Sequence, residues 1–242
     1  MPPRAVSSPA PSHQTGGKAA TAPKLIAVRP AQVERVPRQA PVPPRQKAVA
    51  PVKIDTGARD ALLYAARSAE QASDWKSALA SYRKAQEIDP GNYKIMSNLA
   101  AALNNLGMFD EGVQEAERAL DRRPNYVPAL INAAIGYSTL GNTQKALRLF
   151  TYASAIDPGN RGLIINLGIL QERSGNLDDA QATYRQPAVA GDPLALQGMG
   201  RIYERKGNKS EAARTYRQIL KMANASPALK REVKGKLERL DE

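Results

Sequence analysis

Three asparagines, Asn98, Asn132 and Asn166, stand 34 residues apart in this chain. A carboxamide both donates and accepts, so amides set in step suit the N–H and C=O groups of an extended peptide backbone. Covalent chemistry has no comparable candidate. The chain contains no cysteine, which removes thiolate nucleophiles, thiolate metal sites and disulfides, and its single histidine, His13, has no ordered acidic partner nearby. The acidic pair Asp178-Asp179 falls where a helix begins, and carboxylates favour that end of a helix dipole. Gly198-Met199-Gly200 lacks the further glycine and the preceding strand of a dinucleotide site, and no phosphate loop ending in Lys-Ser/Thr is present. No cofactor or metal is therefore expected, and the chain reads as non-catalytic.

The elements that position these amides recur with the same period. A small residue at a helix turn and another five positions on appear as Ser73 and Ala78, Gly107 and Gly112, Gly141 and Ala146, Gly175 and Ala180, Gly207 and Ala212, at successive spacings of 34, 34, 34 and 32. In the third copy, Leu130, Ala133, Ala134 and Tyr137 form one helical stripe, and Ala146, Leu149, Phe150 and Ala153 form a second after Gly141-Asn142. Each unit is thus two helices and a tight turn, too small to bury its own apolar face, and such units stack into a solenoid. The units run 59–92, 93–126, 127–160, 161–192 and 193–226. Asp89-Pro90-Gly91-Asn92 and Asp157-Pro158-Gly159-Asn160 read as helix stops rather than calcium loops, because the regular acidic spacing and terminal glutamate of such loops are missing. The fourth unit is two residues short and carries Pro187 in its second helix, which predicts a kink or early end there.

Residues 1–57 are of another kind. They hold 11 of the 18 prolines, no aromatic residue, and no apolar run longer than Leu25 to Val28, and so read as a disordered, Pro-rich tail. Nine Lys/Arg against two acids give this tail +7 of the chain's net +12. That charge suits weak, salt-sensitive contact with an anionic surface. No stretch is apolar enough to cross a membrane, and no small-molecule substrate is indicated.

On the period, the turns, and the residues Leu99, Gly168, Gly200, Trp75, Phe109, Tyr82, Phe150, Tyr184 and Tyr216, the chain resembles the tetratricopeptide-repeat proteins over 59–226. The resemblance implies an all-α, right-handed α-solenoid of five repeats within 58–242, with residues 227–240 as a capping helix. It also implies a trough whose inner wall is made by the first helices. On that wall the register places the asparagine ladder Asn98, Asn132 and Asn166, suited to clamping a peptide but also common at this position in the family. Beside it run Ile131 and Ile135, then Ile165 and Ile169, an exposed apolar strip of the kind that marks an interaction surface unless the adjacent first helix covers it. Arg201 joins Glu172, Arg173, Glu204 and Arg205 in a charged stretch toward the fifth unit, read as a solvated face of mixed sign. Leu63 and Pro128 stand where one carboxylate-clamping subclass has lysines, so binding to the acidic C-termini of cytosolic chaperones is not expected.

The function expected is a protein-binding scaffold that takes a peptide or helical segment of a partner, with bacterial envelope assembly, such as a pilus or secretion system, as the family analogy. The alternative is a nucleic-acid-associated adaptor using the basic tail, weakened by the tail's lack of aromatic residues to stack on bases. The compartment follows the start of the chain: cytoplasmic if Met1 is the native start, periplasmic or envelope-associated if the tail is a stalk beyond an anchor.

Overall fold

The computed structural model describes residues 54–240, and the expectations that fall on residues 1–53 lie outside them. The described residues form eleven helices and no strand. They are α1 (Thr56–Gln71), α2 (Trp75–Ile88), α3 (Tyr93–Asn105), α4 (Phe109–Arg122), α5 (Val127–Thr139), α6 (Thr143–Ile156), α7 (Arg161–Arg173), α8 (Leu177–Val189), α9 (Pro193–Arg205), α10 (Lys209–Lys221) and α11 (Pro227–Leu240). The fold is the expected all-α solenoid. Each helix packs on its neighbours in sequence, and the first helices of successive units also touch, α3 on α5, α5 on α7 and α7 on α9.

Short polar side chains cap several of these helices, and residues with positive φ follow the ends of six of them. Asp74 accepts from the Ser77 amide at 3.1 Å, Asn160 from Leu163 at 3.1 Å, and Asp192 from Leu194 at 2.8 Å, each filling a donor that the first turn leaves unpaired. At the turn inside each unit, Gly107, Gly141, Gly175 and Gly207 take positive φ, and Ser73 does so in the first unit at 59°. Pro187 lies in the last turn of α8, and the helix runs through it to Val189 rather than breaking. Only one intrahelical donor is lost so near the end, and Gly191 at φ 78° makes the turn that follows.

Packing within a unit follows one rule. A small residue on the first helix faces a large one sixteen residues later on the second: Ala66 with Tyr82, Ala134 with Phe150, Gly168 with Tyr184 and Gly200 with Tyr216, all four rings fully buried. A Cβ at Gly168 or Gly198 would run into the Tyr184 ring from either side. The second unit has Ala116 in the ring position, and Ala100, Ala133, Leu120, Tyr137 and Leu149 fill that space. Leu229, Val233 and Leu237 of α11 close the last core, as expected of a cap.

Candidate functional site

The first helices α3, α5 and α7 lie side by side, and the residues singled out by period sit between them. Asn132 and Asn166 are 0% exposed, and Asn98 is buried as well. Asn132 donates through Nδ2 to the Ser97 carbonyl at 3.0 Å, while Asn104 Nδ2 donates to the Asn132 carbonyl at 2.9 Å. The amides in the second and third units therefore staple α3 to α5, a role the 34-residue spacing does not announce. Ile131, Ile135, Ile165 and Ile169 are all buried, which corrects the expectation of an exposed apolar strip. Ile131 and Ile135 pack in one cluster with Leu163 and Leu167 of α7, and Ile165 and Ile169 in another with Ala195 and Ile202 of α9.

Arg201 is corrected too. Its side chain is 13% exposed and forms a bidentate pair with Glu172, itself 5% exposed, through Nε to Oε1 at 2.8 Å and Nη2 to Oε2 at 2.7 Å. Arg205 adds a bond to the Glu172 carbonyl oxygen. What reads in sequence as a solvated face is a buried joint between the fourth and fifth units, where a planar guanidinium matches the carboxylate geometry. Burial works against the charge of Arg201, but the Glu172 contact outweighs it and holds the guanidinium above its ordinary range.

A second polar column accompanies the asparagines and was missed. Glu70, Asn104, Ser138 and Glu172 are spaced 34 residues apart and every one is buried. The signal was the same period, applied six residues further along each first helix. Several oxygens of these two columns, Asn98 Oδ1, Asn104 Oδ1, Asn132 Oδ1, Ser138 Oγ and neighbouring Ser97 Oγ, find no hydrogen-bond partner among the described residues. A buried polar atom left in this state costs roughly 1–3 kcal/mol, so a run of five along α3 and α5 is a standing demand for donors. The arrangement offers acceptors set along two parallel helices, with apolar isoleucines beside them. It offers no general base, and no group of three His, Asp or Glu that could hold a metal occurs among the described residues. None of their helices is long and apolar enough to cross a membrane.

Family models for the tetratricopeptide repeat match residues 69–134 and 139–190, and a second such model matches 165–227. Among curated relatives, small glutamine-rich tetratricopeptide repeat-containing protein 2 of Mycosarcoma maydis is 28% identical over 120 residues, which is 48% of this chain and 34% of that protein. The human FK506-binding protein-like protein is 33% identical over 89 residues, 37% of this chain and 26% of its own length. The chain thus spans about a third or less of these two relatives. Among solved structures, a thermophilic repeat protein of Thermus thermophilus superposes with a TM-score of 0.66 at 19% identity, covering 74% of this chain and 99% of that one. A repeat protein of Parabacteroides merdae gives 0.60 at 21% identity, over 76% and 74% of the two chains. MamA gives 0.56 at 19% identity, over 76% and 97%. At these identities the likeness is one of fold.

Proposed function

The chain belongs to the tetratricopeptide-repeat family, a family of generally non-catalytic protein-interaction modules, and on that premise we propose that the inner side of α3, α5 and α7 binds an extended segment of another protein. The observation that carries this reading is the run of buried oxygens without a described partner, Ser97 Oγ, Asn98 Oδ1, Asn104 Oδ1, Asn132 Oδ1 and Ser138 Oγ. Backbone N–H groups of an extended peptide are the donors that fit acceptors spread along a helix row. Asn98, Asn132 and Asn166 stay in the proposal as the polar part of that wall, and Arg201 as the ion-paired end of it. A place in assembling a bacterial envelope machine such as a pilus or secretion system is supported by family analogy alone.

The test is selection of a random peptide library on the immobilised chain, followed by affinity measurement with Asn98→Ala. That substitution removes the Oδ1 acceptor together with the contact to the Tyr82 hydroxyl, and circular dichroism on the variant checks that the helices are kept. Selected peptides are expected to be apolar and to bind the variant about tenfold more weakly, the worth of one hydrogen bond of about 1.4 kcal/mol. Equal affinity for both proteins would move the binding surface away from the inner side.

A further inference from the structure

The outer side of the solenoid changes character halfway along. Second helices of neighbouring units stand within side-chain reach, and early in the chain acids answer the cations there. Arg83 of α2 pairs with Glu111 of α4 at 2.9 Å, and Lys145 of α6 pairs with Glu117 of α4 at 2.9 Å. α4 alone carries Asp110, Glu111, Glu115, Glu117 and Asp121. On the second helices beyond it the acids fade: α6 has none, α8 has only Asp178 and Asp179, and α10 only Glu211, all in the first turn. The rest of these three helices presents Arg148, Arg185, Arg214, Arg217 and Lys221, every one exposed. Arg214 reaches Glu211 of its own helix at 3.5 Å, whereas Arg148, Arg185 and Lys221 have no ion-pair partner among the described residues. Two large apolar side chains stand in the same stripes. Tyr152 follows Arg148 by four residues on α6 and is 48% exposed; Val189 follows Arg185 by four on α8 and is 85% exposed. The repeat register sets Arg217 and Lys221 of α10 level with Arg185 and Val189. Asn224 Nδ2, donating to the Gly191 carbonyl at 3.3 Å, ties the ends of those two units together.

We propose that this outer face of α6, α8 and α10 docks the chain on an anionic lipid bilayer, its cations over the headgroups and Val189 and Tyr152 entering the interface. The cations alone would suit any polyanion, and the apolar side chains decide between them. A sugar-phosphate backbone offers Val189 no apolar surface. The boundary between headgroups and acyl chains does, and tyrosine favours that same depth. Each cation held near such a surface raises affinity about fivefold, so five cations and two apolar side chains suffice for reversible, salt-sensitive attachment. The acid-rich outer side of α4 marks where the surface ends. Docking through second helices leaves the inner side, built by first helices, facing away from the bilayer, so this surface is independent of the peptide-binding reading.

The chain has no cysteine, so a single thiol can carry a local probe. Residues 1–57 hold +7 and are enough to recruit the chain to anionic vesicles, so the readout has to be local. Val189→Cys in the full chain, labelled with nitrobenzoxadiazole, is expected to brighten severalfold and shift to the blue with phosphatidylcholine vesicles containing phosphatidylglycerol, and not with phosphatidylcholine alone. The same label at Gln114→Cys, exposed on α4, should not respond. Adding Arg185→Glu and Lys221→Glu, both on exposed positions, to the Val189→Cys chain should weaken the affinity read by that signal about tenfold or more. Co-sedimentation with the anionic vesicles but no change at position 189 would overturn the proposal and assign recruitment to the tail. Unchanged affinity after the two charge reversals would overturn it as well. An equal spectral change with duplex DNA in place of vesicles would assign the face to polyanions in general and sink its reading as a lipid surface.

Discussion

Asn132 shows what a buried amide does when its partners are backbone. Its Nδ2 adds a bond at 3.0 Å to the Ser97 carbonyl, which already serves within α3, and alanine there removes this tie between α3 and α5 at a site that is 0% exposed. Asn132→Ala is therefore expected to lower stability by about 1–2 kcal/mol in urea denaturation. The Arg201–Glu172 pair has a different logic. Each partner makes the other's burial tolerable, so Arg201→Met alone should destabilise by roughly 3 kcal/mol by stranding a carboxylate that is 5% exposed. The double variant Arg201→Met/Glu172→Leu should recover most of that loss, because the desolvation of both charges disappears with them. A double-mutant cycle in urea decides the matter, and two additive losses would show that the pair is not the joint between these units.

At the level of elements, the turn inside each unit separates glycine from everything else. Ser73 holds φ at 59° where the later units use Gly107, Gly141, Gly175 and Gly207 at 77–86°. A side chain in that region carries a penalty of about 1–2 kcal/mol, partly offset by glycine's greater freedom when unfolded, so Ser73→Gly should stabilise by about 0.5–1 kcal/mol and raise the thermal midpoint. Gly168 makes the opposite case. Its Cβ would meet a Tyr184 ring already backed by Gly198, so Gly168→Ala should cost about 2–3 kcal/mol, and Tyr184→Leu in the same chain should return part of it by opening space. The helices and turns of these units were legible in sequence because period, glycine and proline report local geometry. α1 nevertheless begins at Thr56, ahead of the expected 59, because Asp55 caps it by accepting from the Ala58 amide. The inner face was not legible in the same way. A 34-residue period says that Asn132 and Ile131 share a register with Asn98 and Ser97, but whether that register opens on a trough or closes in a seam depends on the angle between units. Contacts such as Arg201 with Glu172, 29 residues apart, answer to that angle and leave no mark in the repeat.

For the molecule as a whole, the buried tyrosines set how stability responds to alkali. Tyr82, Tyr184 and Tyr216 are fully buried, with Glu70 and Asn98 beside the first hydroxyl, Arg201 beside the second and Glu204 beside the third. Burial raises all three above the ordinary phenol range, and it lifts half-buried Tyr126 to about 12. A phenol raised in the folded state contributes its full stability below the unfolded value of about 10, and loses it as pH climbs from there toward the folded value. Near neutrality these groups therefore add no slope. Above pH ~10 the unfolded chain ionises first, and each of the three fully buried tyrosines removes up to about 1.4 kcal/mol per pH unit. Urea unfolding followed at pH 8, 10 and 11 should show a flat region and then a steep fall, and tyrosinate absorbance should rise with unfolding rather than before it. Lysines titrate in the same window, so the decisive comparison is with Tyr184→Phe/Tyr216→Phe. Those hydroxyls lie beside Arg201 and Glu204, so the variant should lose about 1 kcal/mol per hydroxyl at pH 8 and a large part of the tyrosine contribution to the slope above pH 10. A variant with an unchanged alkaline slope would assign the fall to the surface lysines, and the solenoid's interior would then play no part in it.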